Sequence, residues 1–324
     1  MRGIIQILVG VTFVGMLFAG SFLGALSNPE PHGVPVAVVG PPQVVERLAA
    51  TLEQRRPGAF ELSGHASERE ARAALLDREV DGVLVSQAGR LVVAGAAGRT
   101  TVTVLTTVFG EAAKAQGGRL TVEDAVPLPP GDAGGVSGMF YTLALVVPGL
   151  ALALLLAREA PGLGPGARVG VMALGSALVG AGNALLADVA FGALPGDLAA
   201  LAAVSAALTL TIALVVAGLL RVVGVAGAGL AAILFIPIGL PAGGGPLGAR
   251  FVPEWYAAIG QALPVSAGAE AVRNVVHFGG AALGAPAAVL GVWALAGLAL
   301  LVAPARRGRD ERVGAALPAA TAGV

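Results

Sequence analysis

The sequence predicts an α-helical integral membrane protein of about six transmembrane helices, with an extracellular α/β domain inserted between the first helix and the second. Three observations carry this reading. Of 324 residues, 56% are hydrophobic and only 12% are charged, whereas a soluble domain carries about 25% charged residues. The charges gather between long apolar runs. One such run precedes, and five follow, a polar insert at 28–138.

A hydrocarbon core of about 30 Å takes about 20 apolar helical residues to cross. The runs at 4–26, 139–157, 169–191, 198–220, 222–240 and 282–303 suit that length. Small residues Ala19, Gly20 and Ala25 in the first run offer a cleavage site to a rival reading as a signal peptide. A cleavable apolar region is only about 7 to 15 residues long, so the length favours an uncleaved signal anchor. Pro148 and Gly149 interrupt the second run, which membrane helices tolerate when neighbours satisfy the freed carbonyl. Gly20 with Gly24, and Ser176 with Gly180 and Ala184, have the small-residue spacing of packed membrane helices. A chain with 49 glycines produces such spacing by chance.

Orientation follows from arginine, because cytoplasmic loops near span ends are enriched in Lys and Arg. A cytoplasmic N-terminus puts Arg2, Arg158, Arg168, Arg221, Arg306, Arg307, Arg309 and Arg312 on one side, while the loop at 192–197 has no arginine. Long domains translocate regardless of their charge, so the insert faces outward. The expected layout in the cell membrane is an N-terminal helix (1–27), an extracellular domain with its linker (28–138), a five-helix domain (139–304) and a cytoplasmic tail (305–324).

Within the insert, Val36 to Val39 read as a strand. Pro41 and Pro42 open a helix whose apolar residues Val45, Leu48, Ala49 and Leu52 recur at helical spacing until Pro57. Phe60 to Leu62 suggest a second strand, and Ser67 with Glu70 forms a capping box for a helix running to about Arg78. The segments 81–86 and 90–93 alternate around Ala88 and Gly89 like a hairpin. Residues 101–116 read as a helix. The order βαβαββα suggests a small sheet with helices packed against it, and a linker rich in Pro and Gly leads to the second span.

Between the fifth and sixth spans, the segment 253–280 reads as an extracellular amphipathic or re-entrant hairpin. Val265, Gly268, Ala269, Val272, Val275 and Val276 occupy one arc at 100° per residue, and Glu270, Arg273, Asn274 and His277 occupy the other. That helix is too polar to span, and Trp255 and Tyr256 suit the headgroup belt.

Motifs for chemistry are absent from the sequence. It has no G-x-x-x-x-G-K-[ST] phosphate loop, no nucleophile elbow and no zincin pattern. His32, His65 and His277 lie far apart without ligand-spaced partners, and cysteine is absent, so no metal site or cofactor is expected. With Lys114 as the only lysine and no basic stripe, nucleic acid is not an expected partner. Intramembrane polar residues are costly and often functional. Asn183 and Asp188 in the third span, with Glu270, Arg273 and Asn274 in the amphipathic segment, are therefore the candidate substrate path or gate. Coupling to protons or ions would need mid-span carboxylates or cations, and the spans offer almost none.

The single span, the insert with its run Arg78-Glu-Val-Asp-Gly-Val-Leu-Val85, the five further spans and the segment from Leu263 to Gly280 resemble ABC-2-type transporter permeases. The resemblance is to YhgE/Pip-like actinobacterial membrane proteins and covers nearly the whole chain. It implies a homodimer or heterodimer with another permease subunit, and a separate cytoplasmic ATPase that drives export of a hydrophobic or amphiphilic substrate. It implies no enzymatic activity of this chain's own. Many such permeases have an amphipathic helix before the first span. Here Met1, Arg2 and Gly3 alone precede it, so coupling is expected at the loop 158–168 and the tail. The alternative is a non-transporting scaffold or receptor whose exterior domain binds a ligand, a cell-envelope polymer or a partner protein.

Overall fold

A computed structural model of the chain describes residues 2–303. The expected tail at 305–324, with its arginines, lies outside the described residues. Among the described residues, six helical segments are long and apolar enough to cross a membrane, which makes this a multi-pass helical membrane protein.

The first of them, α1 (Arg2–Leu26), leads into a five-stranded sheet built from β1 (Val34–Val39), β2 (Phe60–His65), β3 (Gly82–Val85), β4 (Arg90–Val93) and β5 (Thr121–Asp124). Strand order is β2-β1-β3-β4-β5, parallel except for the antiparallel pair β3 and β4. Three helices complete this unit: α2 (Pro42–Arg55), α3 (Glu68–Leu76) and α4 (Arg99–Ala115).

The two-residue period of the strands sorts their side chains onto two cores. Val34, Val36, Val38, Leu84, Leu91 and Val93 face α2 and α4, where Leu52, Leu105 and Phe109 are buried. Ala37, Val83, Val85 and Val92 face α3, against Ala71, Ala74 and Leu75. The small side chains on α3 bring that helix close to the sheet. Ser67 caps α3, accepting the Glu70 amide at 3.2 Å.

Four of the five strands follow this alternation, whereas β5 does not, and the sequence pattern missed it. Its residues are mostly exposed. A ring of charges holds it instead: Arg72 reaches Glu123 at 2.6 Å and Glu68 at 2.8 Å, and Arg90 reaches Glu68 at 2.5 Å. The α3 helix ends at Leu76, short of the expected Arg78, and a short helical turn with left-handed Gly89 joins β3 to β4.

The helical body contains α5 (Ser137–Glu159), α6 (Pro165–Ala184), α7 (Leu198–Val223), α8 (Val225–Ile233), α9 (Gly239–Ala242), α10 (Glu254–Ala262), α11 (Pro264–His277) and α12 (Gly284–Val302). The third apolar segment continues from α6 through a wider π-helical stretch to Ala190, and the fifth from α8 through another containing Pro237. Asp132, buried in the linker, accepts the amides of Val136 and Ser137 at 3.0 and 3.1 Å, and so satisfies the start of α5.

α7 is the centre of the body, with Leu201, Leu208, Ile212 and Val216 buried among α5, α6, α11 and α12. Small residues set its distance from its neighbours. A Cβ on Gly180 would lie 2.7 Å from the Ala202 carbonyl oxygen, and one on Gly297 would lie 2.6 Å from the Leu214 carbonyl carbon. Ser176, Gly180 and Ala184 are all buried. Their spacing, which chance alone could produce, is thus part of a real contact of α6. Gly20 and Gly24 of α1 have the same spacing with nothing within 4 Å. Tyr141 and Ser205 share a buried hydrogen bond of 2.7 Å between α5 and α7, which satisfies two hydroxyls inside an apolar core.

Candidate functional site

The sheet unit is wedged onto the helical body by two aromatic side chains. Phe251, from the loop before α10, is buried in the core beneath α2 and α4. Phe278, just after α11, is buried in the core beneath α3. Between them, charged groups from three distant segments converge.

Arg78 comes from the end of α3. The amide of Glu79 donates to the Ala74 carbonyl at 2.8 Å and that of Arg78 to the Leu75 carbonyl at 3.3 Å, a closure that requires a left-handed residue and favours glycine. Arg78 occupies that position with φ of 66°. Its guanidinium donates to Glu270 at 2.8 Å, lies 3.9 Å from Asp81 and stacks 4.7 Å from the centre of the Phe278 ring. Its Nε is buried without a partner.

Glu270 projects from α11 and shares its other oxygen with Arg273 at 3.1 Å. Burial alone would raise this carboxyl, but Arg273 and Arg78 more than offset it and hold it below the usual carboxylate range. Asp81, just before β3, goes the other way. Burial raises it, and the nearby Arg78, Arg250 and Arg273 counter that only in part. His277 is pushed down to about 4, by burial and by Arg273, with Asp132 opposing.

Arg78, Asp81, Arg250, Glu270 and Arg273, but not His277, line a cleft of about 440 Å³ between the sheet unit and the body, with Pro286 and Val289 of α12 on its wall. A smaller cavity of about 70 Å³ adjoins Arg273 and His277. In open α/β sheets ligands usually bind at the carboxyl ends of the strands where the strand order reverses, here between β1 and β3. Ser86 fills that crevice, donating to the Val39 carbonyl at 3.0 Å. The charged cleft lies instead by Pro35 and Asp81, at the opposite ends of β1 and β3.

Of the residues singled out in the sequence, Glu270 and Arg273 meet at the cleft. Asn183 does not line it and donates to the Val179 carbonyl of its own helix at 2.9 Å. Asp188 is half-buried in the π-helical stretch, also away from the cleft. Asn274 is fully buried rather than on the polar face, and it donates weakly at 3.4 Å to the Ala282 carbonyl in the turn that presents Phe278. The polar arc of α11 therefore faces the sheet unit rather than water. Tyr256, expected in a headgroup belt, is buried against α1, hydrogen-bonded to Ser21 and to the Ile238 carbonyl, whereas Trp255 is exposed.

Sequence reading missed the parts played by Arg78, Asp81 and Arg250. The signal at Arg78 was a cationic residue where a helix end normally calls for glycine. No protein-family model, curated protein or solved structure matches this chain.

Proposed function

We propose that this chain is the membrane subunit of an exporter of the ABC-2 type, moving a hydrophobic or amphiphilic substrate with energy from a separate cytoplasmic ATPase. The observation that carries the reading is the charged cleft, lined jointly by the sheet unit and by helices of the membrane-embedded body. A compartment shared between an exterior α/β domain and the spans suits a substrate that leaves the bilayer.

In this reading residues 28–138 form the extracellular domain and both termini are cytoplasmic. Arginine placement supports that orientation. Arg168 and Arg221 line a second cleft with Ala157, Pro165 and Leu301, so the far ends of α5, α6, α7 and α12 come together away from the sheet unit. Arg221 donates to the Ala303 carbonyl at 3.1 Å, and a basic end of this kind belongs on the cytoplasmic side.

Purification from native membranes in mild detergent should recover a nucleotide-hydrolysing partner, and membrane vesicles should move a fluorescent amphiphile only with ATP. Recovery of the chain without any ATPase, together with no ATP-dependent movement, would remove the export reading. The wedging of the sheet unit by Phe251 and Phe278 also suits a receptor that passes an exterior binding event to the spans. That alternative predicts ligand binding with no transport.

A further inference from the structure

We propose that the cleft between the sheet unit and the helices α11 and α12 binds an oxyanion headgroup of the phosphate class, with Arg78, Arg250 and Arg273 as its ligands. The inference deepens the export reading and rests on it only for the status of the headgroup as cargo.

Charge gives the first argument. Three arginines line the cleft against two carboxylates, Asp81 and Glu270, so the cleft is positive even with both acids ionised. Burial pushes Asp81 toward its neutral form, which adds to the excess. Arg250 is exposed, but an excess that includes the half-buried Arg78 and Arg273 is costly without a counterion, and an anion relieves it.

Unused donors give the second. A guanidinium carries five N–H groups in a fixed fork that fits phosphate oxygens. Glu270 takes one Nη group from Arg78 and one from Arg273. Arg250 gives one Nη to the Gly33 carbonyl at 2.9 Å. Among the described residues, no hydrogen bond is formed by Nε and Nη2 of Arg250 and Arg273, whereas the unpaired Nε of Arg78 is itself buried.

Shape gives the third. The cleft, about 440 Å³ in volume, falls within the range of about 300–1,000 Å³ typical of small-molecule sites. Ala267, Ala285, Pro286 and Val289 supply an apolar wall on the side of α11 and α12. An amphiphile with a phosphate head and an acyl tail uses both surfaces.

The test uses the full chain purified in an uncharged detergent, with the thermal midpoint followed by tryptophan fluorescence at fixed ionic strength. Dioctanoyl-phosphatidylglycerol, dioctanoylglycerol and inorganic phosphate are titrated separately. The phosphatidylglycerol should raise the midpoint saturably and dioctanoylglycerol, which lacks the phosphate, should not. Arg250→Gln should raise the half-maximal concentration about tenfold, as loss of a charged hydrogen bond does, whereas Arg47→Gln on the exposed face of α2 should leave it unchanged. Arg250 is exposed and, among the described residues, makes no ion pair with Asp81 or Glu270, so its removal leaves their pairing with Arg78 and Arg273 intact. A saturable shift with inorganic phosphate as well identifies a free oxyanion as the source, and a shift with the lipid alone identifies a headgroup. No saturable shift with either, an equal shift with dioctanoylglycerol, or equal behaviour of the two variants overturns the site. None of these outcomes bears on recovery of an ATPase, so the two proposals fail independently.

Discussion

Arg78 and Glu270, separated by 192 positions in the sequence, form an ion pair of 2.8 Å that joins the sheet unit to α11 of the helical body. Arg273 holds the second oxygen of the same carboxylate. Glu270→Gln should therefore destabilise the folded protein by about 2 kcal/mol, because it leaves two arginines close together without the charge they share. Denaturant titration in detergent measures this, and a midpoint equal to that of the unaltered protein would mean that water screens the pair completely.

Arg78 also separates backbone strain from pairing. Both Arg78→Gly and Arg78→Ala lose the guanidinium, but only glycine relieves the left-handed backbone at φ of 66°. The glycine variant should be the more stable of the two by about 1 kcal/mol. The reverse order would show that the helix end rearranges when the side chain is removed.

Packing of the body separates two sets of glycines with similar sequence settings. Gly297→Ala places a methyl group 2.6 Å from the Leu214 carbonyl carbon, so α7 and α12 must move apart, at a cost of about 1–3 kcal/mol. Gly20→Ala meets nothing within 4 Å and should leave the thermal midpoint within experimental scatter.

Acid should destabilise the protein through His277. Its folded value of about 4 lies below the ordinary 6.5, so the unfolded chain takes up the proton first as pH falls. Stability from this group is complete above pH 6.5 and is lost progressively down to about pH 4. Asp81 acts in the opposite sense, because its raised value lets the folded state bind a proton before the unfolded state does. Glu270, held below 4.5, adds a loss only under more acidic conditions. His277→Gln isolates the first effect: any stability advantage of histidine over glutamine should shrink between pH 6.5 and 4, and parallel curves would contradict it.

Much of the fold was legible in the sequence wherever the physical cause is local. The spans could be read because a bilayer tests the length and apolarity of a single segment, and those are properties of consecutive residues. The β-branched run from Val36 to Val39 marked a strand by itself, while β5 was hidden because ionic contacts from Arg72 and Arg90, rather than apolar burial, hold it to the sheet. The site was only half visible. Glu270 and Arg273 lie three residues apart on one helix, so their pairing could be anticipated, but Arg78 and Arg250 come from other segments.

By itself the sequence determined that this protein is membrane-embedded with one long polar insert, since composition and periodicity decide which surfaces prefer hydrocarbon and which prefer water. Tertiary structure alone decided which surfaces meet. Gly20 with Gly24 and Gly180 with Ala184 have the same spacing, yet only Gly180 lies against a neighbouring backbone. The polar arc of α11 suits water equally well as a sequence, yet it is covered by the sheet unit, and its Glu270 is paired with Arg78. Close packing and ion pairing depend on distances between residues far apart along the chain, and one-dimensional patterns do not contain those distances.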